Sequence, residues 1–263
     1  MPGRSCRRAP VLAASRRCGS KKWTMCAHSS PGSSLEPRWG AIVVAAGEGR
    51  RMGGVRKAFL ELADRPVLLW ALEPFLGLVP PARAIVVAVP PDLAASPPAW
   101  LTALPVRVVA GGAERSDSVR AALAALPPEV EVVLVHDAAR PFPTTALVDR
   151  VRRAAAAGPV VPALPVRDTL KRVRDDRVDA TVPRDGLWQA QTPQGFPRPL
   201  LAALHEQAAV VGLHPTDDAA LAEWAGHPVH IVPGEVTNFK LTEPDDWPLA
   251  LAWAQARATR RRG

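Results

Sequence analysis

Cysteine is missing from most of this 263-residue chain: Cys6, Cys18 and Cys26 all fall within the first 38 residues. The body therefore has no disulfide, no thiol nucleophile and no cysteine metal site, which fits a reducing, cytoplasmic compartment. Long apolar runs are also absent. None reaches ~18 residues, so no membrane span is expected. Aromatic residues make up only 5% of the chain. The first 38 residues lack the 7–15-residue apolar core of a secretory signal. No internal repeat and no linker follow residue 39, so one domain is expected.

Excess positive charge is scarce too, once its position is considered. The formal net charge is +8. Residues 1–38 hold eight Lys or Arg against one acid, Glu36, and residues 254–263 hold four Arg and no acid. The remainder has 21 basic and 24 acidic side chains. Basic tails on a mildly acidic body, with few aromatics, argue against a nucleic-acid partner. Residues 1–38 are Pro-, Gly-, Ser- and Arg-rich without hydrophobic period. Their composition loosely resembles an organelle transit peptide. The simpler expectation is a disordered basic extension, with Met25 as an alternative start. Residues 39–256 are then the folded domain and 257–263 a basic tail.

From Trp39 onward, strand-like and helix-like segments alternate. "WGAIVVAAG" is a continuous apolar run, as expected of a strand buried on both faces. The pattern predicts further strands over 83–90, 106–112, 130–141, 158–166 and 227–233. It predicts helices over 65–77, 116–126 with Ser116 as N-cap, 144–158, near 199–211, 217–226, and from Pro244. On the 144–158 helix, Leu147, Val148, Val151, Ala154 and Ala155 share one face. Such alternation implies an α/β fold with a mostly parallel sheet, helices on both faces and ligands beyond the strands' carboxyl ends. Residues 166–192 break the rhythm: they are polar and charged, with turn chemistry at "RDDR". They read as a two-stranded excursion. An isolated hairpin is marginal, so it is either a surface loop or an arm held by a partner chain.

Three stretches can carry chemistry. In "AAGEGRRMGGVRK" a strand ends on small residues, and Arg50, Arg51, Arg56 and Lys57 follow closely. A glycine turn alone is an ordinary βα connection. Four cations close behind it make a polyphosphate cradle of amides and fixed charges. It is neither a Walker A loop, since no Gly-Lys-Ser/Thr follows, nor a dinucleotide fingerprint, since Met52 replaces the third glycine. In "VHDAARP", Asp137 falls at a strand's carboxyl end, where a carboxylate can hold a hard cation that bridges phosphates. Arg140 can neutralise a neighbouring phosphate, and His136 alternates away as a packed histidine. "GGAERSDSV" is a glycine turn into a helix, either a simple capped helix or an anion site.

Together with "PVRDTLKR", "GLWQAQTPQ" and "NFKLTEPDD", these blocks resemble the 2-C-methyl-D-erythritol 4-phosphate cytidylyltransferase family in order and approximate spacing across residues 39–255. The resemblance implies a Rossmann-like nucleotidyltransferase sheet of the GT-A type with a β-arm for dimerisation. It also implies Mg²⁺-assisted transfer of a cytidylyl group from CTP to methylerythritol phosphate, with release of pyrophosphate, in isoprenoid precursor synthesis. By the same resemblance Ala45, Ala46 and Gly47 contact CTP, and Gly112 and Ser118 place the cytosine. Arg51 and Lys57 stabilise the transition state, and Asp137 holds Mg²⁺. Arg184 and Lys240, helped by Thr169, Thr192 and Arg140, position the polyol phosphate. The chain departs from the family in having Arg56 before and Ala58 after the lysine, a loop about one residue shorter from Met52 to Lys57, and Thr237 in place of an acid. No fused cyclodiphosphate synthase is expected from the chain's length. A ribitol 5-phosphate cytidylyltransferase is the same-fold alternative, and a non-catalytic nucleotide binder the different-class one.

Overall fold

The computed structural model describes residues 36–47 and 56–262. Most of the amino-terminal extension and the loop that carries Arg51 lie outside the described residues.

The first strand, β1 (Trp39–Val44), is buried along nearly its whole length, because both faces of the sheet are covered. It is followed by α1 (Val67–Leu76), β2 (Ala84–Val89), two short helices α2 (Pro91–Ala95) and α3 (Ala99–Thr102), and β3 (Arg107–Ala110). Next come α4 (Arg115–Ala125), β4 (Val132–Asp137), α5 (Thr145–Ala155) and β5 (Val160–Pro165). A hairpin, β6 (Leu170–Arg174) and β7 (Arg177–Val182), precedes β8 (Trp188–Ala190) and β9 (Gln194–Pro197). The chain closes with α6 (Arg198–Val211), α7 (Asp218–Trp224), β10 (His230–Pro233) and α8 (Asp246–Arg262).

The main sheet runs β10-β5-β9-β4-β1-β2-β3, with β8 added to β5. Strands β3, β2, β1 and β4 are mutually parallel, as are β5 and β10. Alternate residues feed two apolar layers. Val43, Val87 and Leu134 point toward α1 and α5, where Leu68, Leu72, Phe75, Leu147 and Val151 wait. Ile42, Val86, Val133 and Val135 pack on α4, α6 and α7 through Val119, Leu123, Leu204 and Leu221. A third cluster, including Leu62, Trp70, Phe142, Leu241 and Ala254, fixes α8 beside α1. No helix among the described residues is long and apolar enough to cross a membrane.

The predicted strands and longer helices are present, with three corrections. First, Ser116 is not the N-cap of α4. Glu114 occupies that position, and Asp117 Oδ2 accepts its N–H at 3.2 Å, a capping box that satisfies two orphan amides instead of one. Second, the excursion is narrower than 166–192. Among the described residues β6 pairs with β7 alone, through a turn at Asp175 and Asp176, whose positive φ values of 48° and 59° suit a tight hairpin. By Trp188 the chain has returned to the sheet, where β8 runs antiparallel to β5. Third, β9 has no counterpart in the hydrophobic pattern, yet it lies antiparallel between β4 and β5.

Candidate active site

Strand register decides which loops meet. Val44 is level with Asp137 on β4 and with Ala88 on β2, and Val89 is level with Ala110 on β3. The turns that follow β1, β3 and β4 therefore open side by side at the carboxyl edge. The sheet's order reverses there, with β2 on one side of β1 and β4 on the other, which is where α/β sheets leave a crevice. A cleft of about 700 Å³ occupies it.

Small residues let the turns come together. A Cβ on Gly111 would lie 2.4 Å from the Ala46 Cβ and 2.7 Å from Ser118 Oγ, so only glycine fits between the two turns. Gly112 N–H donates to Ser118 Oγ at 3.2 Å, and that hydroxyl donates to Glu114 O at 3.2 Å, which fixes the second turn on the start of α4.

Charged side chains line the rim and the floor. Lys57 stands on a 3₁₀ turn (Lys57–Phe59) and its Nζ donates to Leu241 O at 3.2 Å and Thr242 O at 2.5 Å. Arg56 pairs with Asp92 across the rim at 2.7 Å. Asp137 accepts from Arg115 Nε at 3.0 Å on Oδ1 and from Lys240 Nζ at 2.8 Å on Oδ2. Burial alone would raise its pKa, but Arg115 and Lys240 outweigh that and hold it well below the usual carboxylate range. Arg115 also reaches Asp218 Oδ2 through Nη1 at 2.8 Å, and His205 Nε2 donates to Asp218 Oδ1 at 2.9 Å. Burial works against Asp218 as well, and again Arg115 and His205 keep its pKa low.

Beneath Asp137 a buried hydrogen-bond chain has a fixed direction. The Asp137 N–H donates to Thr192 Oγ1 at 3.1 Å, and Thr192 Oγ1–H donates to His136 Nδ1 at 3.0 Å. His136 Nε2 faces Arg140 O at 2.9 Å, and a carbonyl can only accept, so the imidazole carries its proton on Nε2. The packed reading of His136 fits this position.

Of the residues singled out by sequence, Ala45, Ala46, Gly47, Lys57, Gly112, Ser118, Asp137 and Lys240 line the cleft. Arg51 lies outside the described residues. Thr192 is buried below Asp137 and does not line the cleft. Arg140 does not line it either: its guanidinium donates to Asn238 O at 2.9 Å and Ala190 O at 3.1 Å, tying β8 to the loop that carries Lys240. Thr169 and Arg184 are exposed near the hairpin's base, where Arg184 donates to Arg167 O, and neither lines the cleft of its own chain. Sequence reading did not single out Arg115, Asp218 or His205. Arg115 sits inside a quoted motif, but its pairing with Asp137, 22 residues away, depends on the sheet.

No group of three or more potential metal-ligating side chains occurs among the described residues. One ionised, hard-oxygen carboxylate at the edge of an anion-sized cleft suits a cation that takes its other ligands from phosphates and water.

Glycine turns, a lysine and one deep-set aspartate at the switch point of a largely parallel sheet define an α/β nucleotidyltransferase. The sequence profile of 2-C-methyl-D-erythritol 4-phosphate cytidylyltransferase (IspD) matches residues 40–256, and the chain belongs to that family. It is 46% identical over 242 residues to the enzyme of that name from Halorhodospira halophila, covering 85% of this chain and 98% of the relative. It is also 46% identical over 218 residues to the bifunctional enzyme IspD/IspF of Solidesulfovibrio magneticus, covering 78% of this chain but only 54% of that protein's length. The crystal structure of the Thermus thermophilus cytidylyltransferase superposes with a TM-score of 0.71 at 40% identity, over 81% of this chain and 98% of that one.

Proposed function

We propose that this chain transfers a cytidylyl group from CTP to 2-C-methyl-D-erythritol 4-phosphate. A phosphate oxygen of the acceptor attacks the α-phosphorus of CTP, the bond from that phosphorus to the bridging oxygen breaks, and pyrophosphate leaves. The products are 4-diphosphocytidyl-2-C-methyl-D-erythritol and pyrophosphate. The observation that carries the reading is the convergence of the two glycine turns, Lys57, Asp137 and Lys240 on one cleft.

In this reading Ala45 to Gly47 and Gly112 present backbone to the nucleotide, and Ser118 holds the second turn. Phosphoryl transfer needs little covalent help from the protein, so positioning and charge do most of the catalysis. Lys57, joined by Arg51, neutralises the charge that grows on the α-phosphate and the leaving pyrophosphate. Asp137 holds the divalent cation, Mg²⁺, which supplies charge neutralisation on the triphosphate when bound. Lys240 exchanges its contact with Asp137 for the acceptor phosphate. Arg184 and Thr169 serve the acceptor from the hairpin of a second copy of the chain, in a homodimer.

Pyrophosphate release from CTP, measured with methylerythritol phosphate and with ribitol 5-phosphate in separate reactions, tests the proposal. Turnover with the first and little with the second is expected. Preference for ribitol 5-phosphate would move the assignment to the other polyol. No release with either, from folded protein with Mg²⁺ present, would overturn it.

A further inference from the structure

We infer that Asp218, a carboxylate sealed behind the cleft, keeps Asp137 available to a second cation by drawing off part of the charge of Arg115. The inference rests on the reading of Asp137 as the holder of the divalent cation.

Asp218 is 0% exposed, lies on the first turn of α7 and does not line the cleft, so it touches no substrate. It is a positioning residue that acts through Arg115. The guanidinium is stretched between two acids: Nε donates to Asp137 Oδ1 at 3.0 Å, Nη1 is ion-paired with Asp218 Oδ2 at 2.8 Å without hydrogen-bond geometry, and neither Nη2 nor Asp218 Oδ2 has a hydrogen-bond partner among the described residues. Gln194 on β9 steadies this arrangement, since its Oε1 accepts from the Asp218 and Ala219 amides at 3.1 and 3.0 Å.

Counting charge shows what the second acid does. Arg115 with Asp137 alone would be a neutral pair, and an incoming cation would compete with a fully committed guanidinium. With Asp218 included, Arg115 and its two acids carry one net negative charge, shared between Asp137 Oδ2, which faces the cleft, and Asp218, whose Oδ1 is met by His205 Nε2. In the structure Asp137 Oδ2 already attracts a second cation, Lys240, at 2.8 Å. A divalent ion arriving with a triphosphate meets the same negative charge. Separated from the ligand by the width of a guanidinium and screened by the solvent of an open cleft, a unit charge changes divalent-cation affinity by on the order of tenfold.

A purely structural role for Asp218, at the positive end of α7, makes a different forecast. Its loss would lower the melting temperature and leave the metal response alone. The readout is the metal-dependent gain in CTP affinity, taken as the ratio of CTP dissociation constants by calorimetry without and with Mg²⁺. Asp218→Asn should cut that gain roughly tenfold. Arg115→Met should leave it undiminished while turnover falls. The double variant, which regains the net negative charge, should return to within about threefold of wild type. Asp137→Asn should abolish the gain. If Asp137→Asn abolishes it and Asp218→Asn does not change it, the role of Asp218 is structural and the inference fails. If Asp137→Asn leaves the gain intact, the reading of Asp137 fails and this inference with it. Should Asp218→Asn not fold, Arg115→Met decides alone, and a diminished gain in that variant overturns the proposal.

Discussion

Acid should weaken this fold through a single imidazole. His136 is fully buried, with Nε2–H committed to the Arg140 carbonyl and Nδ1 committed to accepting from Thr192. Burial, partly offset by the Arg140 carbonyl, pushes its pKa down to about 4. In the unfolded chain an imidazole titrates near ~6.5. Between these values the unfolded state binds a proton that the folded state refuses, so stability falls as pH falls. The contribution is complete above about pH 6.5, has lost about 2 kcal/mol at pH 5, and has lost about 3 kcal/mol once pH passes below 4. Asp137 and Asp218 are held well below the usual carboxylate range, so they stay ionised from pH 7 to 5 and add no slope there. Urea unfolding at pH 7, 6 and 5 measures the loss directly. His136→Gln should start from a lower stability but show a much flatter pH dependence. Every other group is common to both proteins, so its contribution cancels in the comparison. Parallel slopes for wild type and variant, within about 0.5 kcal/mol, would refute the argument. A proton on Nδ1 would also set two donors against each other at Thr192, which holds the Asp137 amide, so turnover of the folded protein should fall only as the pH approaches about 4.

Three further outcomes are expected. Gly111→Ala places a methyl group 2.4 Å from the Ala46 Cβ, so the two turns must part. CTP affinity should fall at least tenfold, measured by calorimetry, with the melting temperature changed far less. Lys57→Ala should lower turnover by about 10²–10³ in steady-state assays, and near-wild-type turnover would remove Lys57 from the reaction. Mixing inactive Lys57→Ala and Arg184→Ala proteins should restore up to about a quarter of wild-type activity, because each mixed dimer has one intact site. No recovery despite demonstrated subunit exchange would place Arg184 in its own subunit's site.

The α/β class was legible because strands buried on both faces read as unbroken apolar runs, and β1, β2 and β4 are such runs. The first glycine turn and Asp137 were legible because each sits where such a run stops, and the second glycine turn because it follows the short β-branched stretch of β3. Short elements were not. β9 is four residues with a glycine and a proline, and nothing in its hydrophobicity marks it as a central strand. Side-chain partners were not legible either. Arg140 looked like a phosphate ligand, yet it faces two backbone carbonyls that only the folded chain brings near. Arg115 and Asp218 lie more than a hundred residues apart in sequence, and their pairing arises only after α7 docks behind the sheet.

The position of β9 also bears on how the polypeptide must assemble as it is made. Among the described residues β5 finds its partners in β8, β9 and β10, all of which come later in the chain. β4 keeps an open edge until Gln194–Pro197 arrives. A nascent chain that has emerged only as far as the hairpin therefore presents an apolar, unpaired strand edge, the template on which chains aggregate. Closing it requires a long-range antiparallel pairing, which is slow compared with local structure formation. Synthesis adds only ~5–20 residues per second, so the exposure lasts for seconds. The strand that sequence reading passes over is thus the one that ends the most aggregation-prone stage of this protein's synthesis.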